Sequence, residues 1–164
     1  ARRLVRRLPA EQIWDALSEA SGVYGDLKSG DFGLKVKYAQ QTVSPEDFDP
    51  RLHKFLASFG LDDRTLGVRS LGSSIVQASQ LMNSELVKDK LRAEPGSRLQ
   101  VLFSAEPPKT NAEIVEALFL AALARFPSPP EAALGCQMLA ERHIRGAQDL
   151  LWVLVNKPEF QLNY

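Results

Sequence analysis

The sequence is poor in the residues that build reactive centres. Its 164 residues include one cysteine, Cys136, and two histidines, His53 and His143. A single thiol excludes an internal disulfide framework and any two-cysteine metal site. Neither histidine has a second histidine or cysteine three or four residues away, so surface or packing roles are expected of both, with no metal and no cofactor. Net charge is also missing. Twenty basic and twenty acidic residues cancel, which removes the long-range field that recruits nucleic acid or an anionic membrane. No run approaches the roughly 18 apolar residues of a transmembrane helix, and the first residues lack the charged, apolar and small-residue order of a signal sequence. Neither a nucleic-acid partner nor membrane insertion is expected. The chain opens at Ala1 without an initiator methionine, and Arg2 to Leu8 resembles the interior of a structured segment, so the sequence reads as a C-terminal piece of a longer protein.

What is present is helical periodicity. With 45% hydrophobic residues the chain can bury a substantial core, and its length makes residues 1–164 one expected domain. Thr110-Asn111-Ala112-Glu113 and Ser128-Pro129-Pro130-Glu131 each place a hydroxyl three residues before a carboxylate, the pattern in which both side chains satisfy backbone N–H groups at a helix start. Helices are predicted to begin at about Asn111 and Pro129. The first carries Ile114, Val115, Leu118, Phe119 and Ala122 on a broad apolar face; the second runs to about Arg145. After Gly146, the run Leu150 to Val155 is read as a buried helix with Trp152 in the core, and Phe160 and Leu162 fold back onto it.

Earlier in the chain, a helix from Pro9 to about Ala20 sets Ile13, Ala16, Leu17 and Ala20 on one face and ends at Ser21-Gly22. Residues 23–47 lack a 3.6-residue period and carry several glycines, which predicts irregular backbone, except that Leu34, Val36 and Tyr38 alternate with Lys35 and Lys37 as a short edge strand would. Asp49-Pro50 caps a helix through Leu52, Phe55, Leu56 and Phe59 that stops at Gly60. Ile75, Ala78, Ser79 and Met82 keep helical spacing to Asn83. Ser84 caps another helix through Leu86, Val87 and Leu91, and a short one spans Ser97 to about Ser104. The expected fold is all-α: a single-domain bundle of six or seven helices with an irregular glycine-rich segment after the first.

Candidate chemistry is sparse. Cys136, between Gly135 and Gln137 on a helix, is read as a small packing residue, because no adjacent base marks it as a nucleophile. Ser73 and Ser74 follow Gly72 but lack the second glycine of a nucleophile elbow. Arg2, Arg3, Arg6 and Arg7 recur at helical spacing, the arrangement of a solvated face or of ion pairs, and clustered arginines of this kind also bind phosphates. The carboxylate pairs Asp62-Asp63 and Glu46-Asp47 fit helix caps better than acid/base or Ca²⁺ sites. Asn83 and Asn156 are read as left-handed helix ends. Tyr24, Phe32, Tyr38 and Phe48 offer stacking groups or loop anchors in the irregular region.

Several ordered segments together resemble the C-terminal part of the planctomycete-type DUF1553 family, also called the PSD1 domain, of multidomain proteins that often carry a c-type cytochrome module. They are Arg7-Leu8-Pro9-Ala10-Glu11 with Asp15-Ala16 and Ser21-Gly22; Phe55-Leu56 with Phe59-Gly60 and Asp63-Arg64; Gln77-Ala78 with Leu81-Met82-Asn83-Ser84; Glu113-Ile114-Val115 with Leu118 to Arg125; and Asp149-Leu150-Leu151-Trp152 with Asn156 to Phe160 and Asn163. The resemblance implies a periplasmic or secreted location and implies little chemistry, since the family's own activity is poorly defined. Many members carry Cys-x-Cys-Glu-Arg before the Leu-Met-Asn helix. This chain has Leu66-Gly67-Val68-Arg69 there, so no metal or redox role of that element carries over, and Cys-x-x-Cys-His for haem attachment is absent. The function expected is a non-catalytic accessory or protein-interaction module whose partner is an upstream domain of the same parent or another protein. Two alternatives stay open: a segment completing a hydrolase or redox enzyme site with upstream domains, and an extracellular glycan- or peptide-binding module.

Overall fold

The computed structural model describes residues 6–30, 33–42, 48–61 and 75–163. These form an all-α bundle with eight helices: α1 (Ala10–Ser21), α2 (Pro50–Ser58), α3 (Ile75–Asn83), α4 (Glu85–Lys90), α5 (Arg98–Phe103), α6 (Asn111–Leu123), α7 (Pro129–Val155) and α8 (Pro158–Gln161). Two antiparallel ladders are added: β1 (Arg6–Arg7) with β4 (Leu162–Asn163), and β2 (Leu27–Ser29) with β3 (Leu34–Val36). The helix count exceeds the six or seven expected, partly because Pro158, preorganised for a first turn, starts the one-turn helix α8.

The helix starts follow the sequence closely. Asp49 accepts the N–H groups of Arg51 and Leu52, Ser97 accepts that of Gln100, and Thr110 accepts that of Glu113 while Glu113 takes the Thr110 N–H in return. Each bond removes an orphan donor worth about 1 kcal/mol. Ser84 precedes α4 but forms no such side-chain bond. Gly22 ends α1 with φ of 72°, and a Cβ there would lie 2.8 Å from the Arg98 nitrogen, so this end requires glycine both for its backbone and for its closeness to α5.

α1 is the hub, packing against α2, α4, α5, α6 and α7. Its Ile13, Leu17 and Ala20 are fully buried and meet Leu52, Phe55 and Leu56 of α2 together with Val115, Leu118 and Phe119 of α6 in one continuous core. Trp14, Phe55 and Phe59 form an aromatic chain with ring centres 5.7 and 5.0 Å apart. Burying each such side chain contributes about 1.5–3 kcal/mol.

The two helices expected on either side of Gly146 are present as the two arms of α7, but the break lies at His143 (φ 51°, ψ −131°), three residues before Gly146, where the chain folds back on itself. Gly135 faces Leu150 across the fold, and a Cβ on Gly146 would lie 2.0 Å from the Met138 carbonyl oxygen. Gly146 is thus not the break but the residue that lets the two arms touch. Past the break, Leu150, Leu151, Leu154 and Val155 are buried whereas Val153 is exposed and Trp152 only half-buried. Trp152 is therefore not a core residue. It lies on the flank of an amphipathic arm, and its indole N–H donates to the Met82 carbonyl, tying α7 to α3.

Other expectations are corrected by pairing over distance. Arg6 and Arg7 form an extended ladder with Leu162 and Asn163 rather than a helical face, while Arg2 and Arg3 lie outside the described residues. The segment after α1 is more regular than predicted: β2 and β3 make a hairpin with Gly30 and Gly33, both at positive φ, between the strands, followed by a 3₁₀ turn at Ala39–Gln41. Among the described side chains of α3, Gln77 and Leu81 are buried and Ala78, Ser79 and Met82 are exposed; the Ile75 side chain lies outside the description. Neither asparagine is left-handed. Asn156 has φ of −90° and donates to the Trp152 carbonyl, and Asn83 ends α3 with its amide on Ser79. No described helix is long and apolar enough to cross a membrane.

Candidate functional site

Polar groups converge where α1 ends, between the β2–β3 hairpin and α4. On one side of α1, Asp15 is buried and accepts the backbone N–H groups of Ala39 and Gln40 at 2.6 and 3.2 Å, with the Gln40 side chain at 3.0 Å. A carboxylate at the start of a 3₁₀ turn satisfies donors that would otherwise be orphaned, so Asp15 fixes the segment after the hairpin onto α1. On the other side, Lys90 of α4 is 5% exposed. Its ammonium donates to Ser18 Oγ at 2.8 Å and to the Val23 carbonyl at 2.6 Å, and lies 4.0 Å from the centre of the Trp14 ring. Burial pushes the Lys90 amine down from 10.5 to about 8, opposed by the nearby charge of Asp15. Arg98 of α5 completes the closure by donating to the Glu19 and Ala20 carbonyls, the last acceptors of α1.

Beside this junction opens a cleft of about 250 Å³, lined by Trp14, Tyr24 and Leu27 with Asp26, Asp49, Asp89 and Lys90 among its polar groups. Tyr24 also belongs to a second constellation. Its ring meets that of Tyr38 edge-on, centres 6.1 Å apart and planes at 80°. The Lys37 ammonium sits 4.2 Å from the Tyr24 ring centre and 4.8 Å from that of Tyr38, and 3.4 Å from Glu19 Oε1, to which the Tyr38 hydroxyl donates at 2.6 Å. The Tyr38 and Tyr24 hydroxyls hold the Glu19 carboxyl below its ordinary value. Burial, with Glu19 next to it, raises the Tyr24 phenol, and the two tyrosines raise the Lys37 amine. A smaller groove of about 220 Å³ lies between α4 and α7, with Trp152, Gln148 and Asp149 facing Lys88, Leu91 and Arg92.

The residues singled out in the sequence are dispersed. His143 is exposed at the break in α7, Cys136 is a half-buried free thiol on the first arm, and His53 lies half-buried on α2. No group of three or more His, Cys, Asp or Glu side chains able to hold a metal occurs among the described residues. Ser73, Ser74, Asp62-Asp63, Glu46-Asp47 and Phe32 lie outside the described residues. Of the four aromatics of the glycine-rich segment, Tyr24 and Tyr38 are brought together, and Phe48 is buried as an anchor. Sequence reasoning missed Lys90, Asp15 and Glu19. Lys90 did leave a signal: it falls three residues after Val87 and one before Leu91, inside the apolar stripe of α4. Compared with known proteins, the chain matches no family model, no curated protein and no solved structure.

Proposed function

We propose that the chain is a non-catalytic accessory or protein-interaction module of a secreted or periplasmic multidomain protein, and that it works by contact through the face formed by the end of α1, the β2–β3 hairpin and α4. The location and the parent's multidomain character rest on the DUF1553 resemblance. The contact reading rests on one observation: in this face Lys90, Glu19 and Asp15 are each engaged by neighbours within the chain. Lys90 is held by Ser18 and Val23, Glu19 by Tyr38 and Lys37, and Asp15 by Ala39 and Gln40. Such pairing builds a rigid, aromatic-lined surface, whereas catalysis needs a nucleophile and base aimed at a shared point. The partner is an upstream domain of the parent or a separate protein. A peptide- or glycan-binding module draws support from the same tyrosines, since paired aromatic faces suit stacking.

The test compares the chain with its full-length parent on esters, glycosides and redox dyes, and measures binding of the chain to the separately expressed remainder of the parent. The expected result is binding that Tyr24→Ala weakens, with no turnover by the chain. Turnover abolished by replacing Lys90, His53, His143 or Cys136 would overturn the reading.

A further inference from the structure

We propose that Glu19, Tyr24 and Tyr38 form a receptor for an alkylammonium ion, filled in the free protein by the chain's own Lys37. The inference rests on the contact reading above and adds a ligand class to it. An ammonium is attracted to the electron-rich face of an aromatic ring within about 6 Å of its centre, and two rings set at right angles with a carboxylate close by surround it on three sides. Here the ring planes stand at 80°, the ammonium lies 4.2 and 4.8 Å from the two centres, and a Glu19 oxygen is 3.4 Å away.

Two of the walls, Glu19 and Tyr38, stand on anchored backbone. Glu19 sits on the last turn of α1, whose terminal carbonyls Arg98 secures. The Tyr38 backbone N–H is held by Gln41 Oε1 at 3.0 Å, and the next two N–H groups are held by Asp15. The Lys37 side chain is about half exposed (52%) and so is that of Glu19 (45%), so solvent reaches the ion pair that fills the site. The buried ammonium nearby, Lys90, is engaged by Ser18 and Val23 over a different ring, Trp14, and does not compete. A methylated ammonium loses less hydration than a primary one on entering such a site and places methyl groups against both ring faces, so it displaces Lys37. Lys37 then acts as a tethered competitor that sets the threshold for binding.

The experiment titrates tetramethylammonium chloride into the protein and into Lys37→Ala, following the Tyr24 and Tyr38 resonances by NMR, with sodium chloride at equal ionic strength as the control. Saturable shifts are expected in both, with Lys37→Ala binding about fivefold tighter because the tethered ammonium no longer competes for the rings. Adding Tyr24→Leu to Lys37→Ala is expected to abolish the shifts, and adding Glu19→Gln to weaken binding severalfold. Choline and Nε-trimethyl-lysine, titrated separately, distinguish a headgroup-like from a side-chain-like source of the ion. The β2–β3 amide resonances report folding, and Lys37→Met serves if Lys37→Ala does not fold. A folded Lys37 variant without saturable shifts, or shifts unchanged by Tyr24→Leu or reproduced by sodium chloride, would overturn the proposal. Loss of ammonium binding with intact partner binding removes this site alone; partner binding lost while ammonium binding persists removes the accessory reading and leaves the site standing.

Discussion

The Lys90 ammonium rests 4.0 Å above the Trp14 ring while its hydrogens reach Ser18 on α1 and the Val23 carbonyl just beyond it. One cation thus joins α4 to the end of the central helix from inside the protein, where carrying charge is costly.

That cost makes stability depend on pH in an alkaline window. In the unfolded chain Lys90 keeps its proton to about 10.4, but in the folded protein it loses it near 8. Between those values the unfolded state binds more protons, so stability rises with pH; below about 8 both states are protonated and the contribution is flat. The gain across the window is on the order of 3 kcal/mol. Urea midpoints at pH 7.5 and 10 are expected to increase for the native chain relative to Lys90→Met, and parallel curves for the two would refute the assignment.

The two tryptophans are expected to behave differently. Trp14 is 4% exposed and touches Phe55, so Trp14→Ala costs about 3–5 kcal/mol. Trp152→Ala, at a half-buried position with one hydrogen bond to Met82, costs about half as much. Chemical denaturation gives the comparison, and equal losses would contradict the structure.

Gly146→Ala is expected to destabilise by about 3 kcal/mol or more, because its methyl group has no room beside the Met138 carbonyl. Gly30→Ala supplies the contrast: a Cβ there meets nothing within 4 Å, so only the positive φ opposes it, at roughly 1 kcal/mol. Thermal unfolding of the two variants should rank them in that order.

Glu131 links three elements. It accepts from Ser128 at the start of α7, from Arg125 just after α6, and from Lys157 just before α8. The Arg125 guanidinium, then Lys157, hold its carboxyl well below the usual range. A carboxyl depressed on folding stabilises the protein above its unfolded pKa, and that contribution is lost as pH falls through the folded one. Glu131→Gln is therefore expected to be less stable than the native chain by about 1–2 kcal/mol at pH 7, with the difference shrinking as pH falls below about 4. A constant difference from pH 7 to 2 would exclude the ion pairs as its cause.

Local signals carried the helices well. Asp49, Ser97 and Thr110 cap the helices that their spacing predicts, because an N-cap bond spans only two or three residues. What stayed hidden depends on partners far along the chain. Lys90 meets residues 67 and 72 positions away, Arg98 meets acceptors 78 and 79 positions away, and Arg6 pairs with Asn163. No periodicity reports such pairs. Trp152 was misplaced for another reason: an unbroken apolar run hides the helical period that separates Leu151 and Leu154, which are buried, from Val153, which is not. At the candidate site the tyrosines were visible as aromatics, but their perpendicular pairing over Glu19 needed the hairpin to exist.

The small ladder of β1 and β4 has a mechanical meaning. Because Arg6 lies opposite Asn163 and Arg7 opposite Leu162 in antiparallel order, tension drawing Arg6 and Asn163 apart loads the cross-strand bonds one after another, as in a zipper. Two residue pairs, with the Leu8 N–H on the Gln161 carbonyl behind them, part in turn before the helical core feels the force. A pull on this protein is thus met by a weak latch in front of a strong body.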